Sequence, residues 1–148
     1  MKASDNGITL IQKFEGIKTK PYRDCVDLWT VGIGTLIGDG KSLPDSWNRE
    51  FTIEECHALL RKELTHIERG ILKYINVQLT QNQFDALCSF VYNLGLGCLQ
   101  RSTIRSKLNR GNALGALKSW AKYNKAGGKV WRGLDLRRQA EIALFLTK

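Results

Sequence analysis

The stretch from Thr52 to Ile75 constrains this chain most. Thr52-Ile53-Glu54-Glu55 has the pattern of a capping box, with Thr52 as N-cap and Glu55 reaching back to it. Ile53, Leu60, Leu64, Ile67, Ile71 and Ile75 follow at helical spacing. The spacing predicts one helix over 53–75, roughly 34 Å long at 1.5 Å per residue. A rod of that length would cross the whole of a 148-residue molecule. It predicts a bridge between a small lobe before it and a larger one after it. Gly70 is a mild weak point in the run.

The chain before the bridge is mixed in character. Ile8, Leu10, Ile11 and Phe14 predict a short amphipathic helix over about 6–15, with Gly16 as its stop. The polar Lys18–Lys20 stretch and Pro21 then break regular helix. Between Tyr22 and Gly40 lie Val26, Leu28, Trp29, Thr30, Val31 and Ile33, punctuated by Gly32, Gly34, Gly38 and Gly40. That pattern predicts a small twisted antiparallel sheet, a hairpin with a third strand. Residues 41–50 predict an irregular loop.

After the bridge the pattern is helical throughout. Thr80-Gln81-Asn82-Gln83 is a second capping box, opening a helix that is apolar on most faces and stops at Gly95. It predicts the central core helix of the second lobe. Ser102 caps a helix to about Asn109, and Asn112 caps another to about Asn124, stopped at Gly127-Gly128. A last helix is expected over about 134–146, with Arg137 four before Glu141 on its exposed side. The class is α+β, mainly helical. The chain reads as one domain, 1–148: an N-terminal lobe with the sheet (1–51), a connecting helix (52–76) and a helical lobe (77–148).

Charge divides along the same line. Residues 1–76 hold 11 Lys/Arg and 11 Asp/Glu; residues 77–148 hold 12 Lys/Arg against only Asp85, Asp135 and Glu141. The whole net charge of +9 therefore sits in the second half. That half favours a polyanionic partner: nucleic acid, acidic lipid or an anionic cell wall. No apolar run approaches the roughly 18 residues of a membrane span. The N-terminus is interrupted by Asp5, Lys13 and Glu15 and is not a signal peptide, so synthesis in the cytoplasm is expected. Cys25, Cys56, Cys88 and Cys98 form no CxxC pair, and His57 and His66 are not at zinc-finger spacing from them. Free thiols are expected, with no metal and no cofactor.

Chemistry concentrates just before the sheet. Glu15 stands at the C-terminal end of its helix, where the macrodipole disfavours an anion. A carboxyl that keeps its proton can give it to a leaving-group oxygen. Asp24 lies nine positions on, after the turn Lys20-Pro21-Tyr22-Arg23, with Arg23 beside it as an expected charge partner. Such an aspartate can act as a base on water or stabilise positive charge at a sugar carbon. Thr30, six positions further, can hold that water. Two carboxylates in different settings outline a glycosidase site. Asp27 competes with Asp24 on local chemistry alone.

The segment FEG-x(5)-YRD-x(5)-TVGIG resembles the catalytic stretch of the phage-type lysozymes (endolysins, glycoside hydrolase family 24). The likeness continues through QNQFDALCSFVYNLG, STIRSKLNRG and WAKYNKAGGKVWRGLDLRRQAE, covering nearly the whole chain. It selects Asp24 over Asp27. It implies a cleft between the two lobes and peptidoglycan as partner, cut at the β-1,4 link from N-acetylmuramic acid to N-acetylglucosamine. Glu15 would be the general acid, Asp24 the carboxylate working with water, and Thr30 the supporting hydroxyl. Leu36, Tyr92, Asn93 and Thr103 would contact substrate. A monomer acting on the wall after release is implied, with neither nucleic acid nor stable membrane association. Many relatives carry a histidine where this chain has Thr35, which removes a charge partner but no proton-handling group.

Three rivals remain on the sequence. A lytic transglycosylase cuts the same bond without water and works with one glutamate; Asp24 and Thr30 favour hydrolysis. A basic nucleic-acid-binding module would use the charge of 101–138, interleaved with Trp120, Tyr123 and Trp131, yet no helix-turn-helix or single-strand motif supports it. Membrane disruption by a cationic last helix is disfavoured by its mixed charge, Arg137 and Arg138 with Glu141.

Overall fold

A computed structural model describes all 148 residues, Met1–Lys148. The chain divides into two compact units, one of residues 15–65 and one of residues 1–14 with 66–148. Sequence reading groups 1–51 together; here the first helix, α1 (Asp5–Glu15), joins the helical half up to Phe14. The cause is two acids on later helices. The Ala3 amide donates to Glu68 Oε2 at 2.7 Å, and the Ser4 amide to Asp85 Oδ1 at 2.9 Å. The Ser4 hydroxyl also donates to Asp85. Gly7 makes the close approach possible, since a Cβ there would stand 3.0 Å from Asp85 Cγ.

The unit 15–65 holds a three-stranded antiparallel sheet ordered β1 (Lys18–Arg23), β2 (Trp29–Gly32), β3 (Thr35–Leu36). Strand β1 begins earlier than the sequence suggests and contains Pro21. Its pairing is irregular there: Lys18 faces Gly32 but Tyr22 faces Thr30. Between those pairs β1 covers four residue steps where β2 covers two, a bulge in which a proline without an N–H breaks no ladder bond. Val31, Ile37, Phe51 and Cys56 form the buried cluster of this unit, with Trp29, Leu43, Trp47 and Leu59 against it. A short 3-10 turn, Asp45–Trp47, lies in the loop that follows the sheet.

Helix α2 (Ile53–Tyr74) is the expected long helix and contributes residues to both units. Its capping box is formed: the Thr52 amide donates to Glu55 Oε1, and the Glu55 amide to Thr52 Oγ1, both at 3.0 Å. Arg49 grips the same carboxylate at 2.7 Å and holds its pKa down at about 2.

In the helical unit, α3 (Gln81–Leu94) is buried from Phe84 through Val91 and capped by the Thr80–Gln83 box. Each large apolar side chain so removed from water contributes about 1.5–3 kcal/mol. Around it come α4 (Leu96–Arg101), α5 (Thr103–Asn109), α6 (Ala113–Ala121) and α7 (Arg132–Leu146). Phe90 meets Trp120 and Tyr123 edge-on at 5.2 and 5.3 Å. Between α6 and α7 a two-stranded hairpin appears, β4 (Lys125–Ala126) with β5 (Lys129–Val130). Gly127 and Gly128 turn it with φ of 59° and 77°, conformations glycine adopts without strain.

Helix α7 corrects the expectation of an exposed charge pair. Arg137, Arg138 and Glu141 are all buried. Glu141 Oε2 accepts from Ser89 Oγ at 2.6 Å and Arg138 Nη2 at 3.1 Å; Oε1 accepts from Trp120 Nε1 at 2.9 Å. Arg138 Nε lies 2.8 Å from Oε1 and Arg137 Nε 3.4 Å from Oε2. A charge is tolerated inside because it is paired and hydrogen-bonded on both oxygens.

Candidate active site

Glu15 closes α1, and Gly16 follows at φ 75°, a left-handed residue that turns the chain out of the helix. The half-buried Glu15 carboxyl packs on the tight turn between β2 and β3: a Cβ on Gly34 would fall 2.7 Å from Glu15 Oε1. Gly34 has φ 75°. Gly34→Ala adds a strained backbone to a collision with Glu15. It should cut any Glu15-dependent activity at least about tenfold, because a misplacement near 1 Å is costly in catalysis. Rate assays paired with thermal melts check this; a variant that melts lower but works at the wild-type rate would refute it.

Asp24 heads the β1–β2 turn. Its Oδ1 accepts from the amides of Val26 and Leu28 at 3.0 and 2.9 Å, while its own amide donates to Leu28 O at 2.9 Å. The turn therefore fixes the carboxylate through one oxygen, and Oδ2 takes neither bond. Arg23 does not pair with Asp24 as expected. It reaches Asp27 Oδ2 at 3.1 Å and lies over the Trp29 ring, 4.9 Å from its centroid. Side chains alternate along a strand, which sends neighbours 23 and 24 apart. Asp27 is exposed, left-handed at φ 63° and occupied by Arg23.

Thr30 stands on the central strand, opposite Tyr22 on one side and Leu36 on the other. It is buried, and its hydroxyl donates to Leu28 O at 3.0 Å. The donated proton leaves the oxygen lone pairs as acceptors. Leu36 is exposed. Glu15, Asp24, Thr30 and Leu36 thus belong to one unit, around a row Tyr22–Thr30–Leu36. Tyr22 was missed by sequence reading. Burial raises its pKa, and the negative charges of Glu15, Asp24 and Cys25 raise it further. The signal was present in principle, because a turn over 24–28 puts Tyr22 across from Thr30.

Tyr92, Asn93 and Thr103 belong to the helical unit. Tyr92 and Asn93 are half-buried near the end of α3, and Thr103 opens α5, exposed. Asn93 Oδ1 accepts from Arg138 Nη2 at 2.8 Å. Thr35 is buried with an unbonded hydroxyl. The four cysteines are free thiols, and burial pushes those of Cys56, Cys88 and Cys98 up, away from reactivity. No group of His, Cys, Asp and Glu could hold a metal ion. No helix is long and apolar enough to cross a membrane.

A helix-terminal glutamate set against a small antiparallel sheet, in a chain otherwise helical, is a lysozyme arrangement. The solved structure of P22 lysozyme, in a mutant form, matches with a TM-score of 0.87 and 35% identity over 99% of both chains. The chain belongs to the phage lysozyme family, whose model matches residues 12–141. It is 41% identical to the endolysin of Bacillus phage B103 over 99% of its own length. The chain spans only 55% of that relative. It is 37% identical to the endolysin of Acyrthosiphon pisum secondary endosymbiont phage 1, over 98% of each.

Proposed function

We propose that this chain is a lysozyme that hydrolyses bacterial peptidoglycan at the β-1,4 bond from N-acetylmuramic acid to N-acetylglucosamine. The observation that carries this reading is the Glu15 carboxyl seated on Gly34 in the unit that also holds Asp24 and Thr30. Family membership supports it. Protonated Glu15 gives its proton to the glycosidic oxygen as the bond to C1 breaks. A water adds to C1 and passes a proton to Asp24, whose Oδ2 is not used by the turn. Thr30, its own proton committed to Leu28, accepts from that water and orients it. Leu36, Tyr92, Asn93 and Thr103 contact the glycan. Residues 1–148 act as one monomeric domain, made in the host cytoplasm and working on the wall after release.

The experiment is digestion of purified sacculi by purified protein, with mass analysis of the fragments. Clearing with products that carry the elements of water is expected. Fragments lighter by one water would mean a transglycosylase instead, and an unchanged suspension would end the proposal.

A further inference from the structure

On α2, Glu55, Ala58, Leu59 and Lys62 fall at i, i+3, i+4 and i+7, along one face of the helix. That face lines a hollow of about 400 Å³, within the roughly 300–1,000 Å³ of small-ligand pockets. The rest of the lining comes from the segment before the helix: Ser46 and Trp47 of the 3-10 turn, then Arg49 and Phe51. The whole hollow lies in the unit 15–65, and none of Glu15, Asp24, Thr30 and Leu36 lines it.

Its apolar side is held by the core of that unit. Phe51 is buried, and Trp47 and Leu59 pack half-buried against the cluster to which it belongs. The Trp47 and Phe51 rings lie 5.5 Å apart. Its polar side is neutralised from within. Arg49 Nη1 and Nη2 donate to Glu55 Oε1 and Oε2 at 3.2 and 2.7 Å, and Arg49 lies over the Phe51 ring, 3.8 Å from its centroid. Ser46 and Lys62 are exposed at the same hollow.

These groups restrict what can enter. An anion would meet the Glu55 carboxylate, and a cation would meet Arg49 and Lys62. A purely apolar molecule would strip water from the charged pair and return no hydrogen bond. A neutral molecule with a small apolar patch, a donor and an acceptor meets none of these penalties. An acetamido group has that make-up: a methyl for the Trp47–Leu59 surface, an N–H for Glu55 and a carbonyl for Arg49 or Ser46.

We propose that this hollow is a second glycan site, separate from the Glu15 group, that takes an N-acetylhexosamine of the wall polymer by its acetamido group. The choice of wall sugar rests on the function proposed above. A second hold on one polymer raises the effective concentration of the first, so the site would keep the protein on the wall between cuts.

The test titrates isotope-labelled Glu15→Gln protein with the β-1,4-linked disaccharide of N-acetylglucosamine, followed by NMR. The Trp47 indole signal and the Ala58 and Leu59 amide signals should shift saturably. Cellobiose, with the same linkage but no acetamido group, should leave them still. Trp47→Ala should abolish the response of Ala58 and Leu59. Ala58→Gln, at an exposed helix position, puts a longer side chain in the hollow and should weaken binding about tenfold, which guards against a folding defect from Trp47. With Glu15 restored, each substitution should slow clearing of dilute sacculi about threefold or more, yet leave cleavage of a short soluble wall fragment unchanged. Signals that stay still, an equal response to cellobiose, or shifts confined to Thr30 and Leu36 would each overturn the proposal. So would clearing at the unaltered rate in both variants. Wild-type protein that lyses sacculi while the Trp47 signal stays still in the titration overturns this inference alone. A saturable Trp47 shift without lysis overturns the proposed activity alone.

Discussion

Glu15→Gln is expected to slow clearing of sacculi by about two to four orders of magnitude, the usual worth of a positioned proton donor. Glutamine keeps the size and hydrogen-bonding ends of the side chain but has no proton of suitable acidity to give. The contact with the Gly34 turn survives, and a thermal melt run alongside separates lost chemistry from any change in stability. Full activity in this variant would remove Glu15 from the chemistry. The comparison at Asp24 is informative for a different reason. The Oδ1 of asparagine can still accept from Val26 and Leu28, so Asp24→Asn preserves the turn while changing only the atom left over for water. Alanine at 24 would confound lost chemistry with a lost turn.

The second large effect is on stability. Glu141→Gln should destabilise the protein by about 3–5 kcal/mol, the usual cost of orphaning one side of a buried ion pair. Arg137 and Arg138 would then lose the carboxylate they share. Burial already pulls Arg138 below its ordinary pKa, with Glu141 as the main counterweight. At roughly 2–4 °C per kcal/mol for a chain of this size, the midpoint should fall by about 6–20 °C. Ser89→Ala removes one donor to the same carboxylate and should cost only about 1 kcal/mol. Equal losses in the two variants would show that the charge is not what matters there. Chemical denaturation followed by far-UV dichroism reads both.

What was legible in the sequence was local. The capping boxes at Thr52 and Thr80 need only residues three apart, and both formed. The glycines around the sheet marked its turns, and the long helix followed from its stripe. The family likeness points to Glu15, Asp24 and Thr30 as the candidates, whereas local chemistry alone leaves Asp27 open beside Asp24. The failure at α7 depended on partners far away in the chain. An arginine four before a glutamate looks the same on a wet face and inside a core. Only Ser89 and Trp120, 52 and 21 positions from Glu141, distinguish the two. The hairpin at Lys125–Val130 was hidden because a Gly-Gly pair ends a helix as readily as it turns two short strands. Arg23 was assigned to the wrong aspartate because adjacency in sequence was read as adjacency in space.

The bulge in β1 has a consequence for how this protein can vary. Its irregular stretch is not left open: the Thr19 carbonyl accepts from the Phe51 amide at 2.7 Å, tying the bulge to the loop before α2. The number of residues between Lys18 and Tyr22 therefore sets the phase of everything after it. One residue fewer would exchange the two faces of the strand and turn Tyr22 away from Glu15. Substitutions within 19–21 leave that phase intact, whereas a single insertion or deletion there resets it. Length, more than composition, is what natural selection would have to hold constant in this short segment.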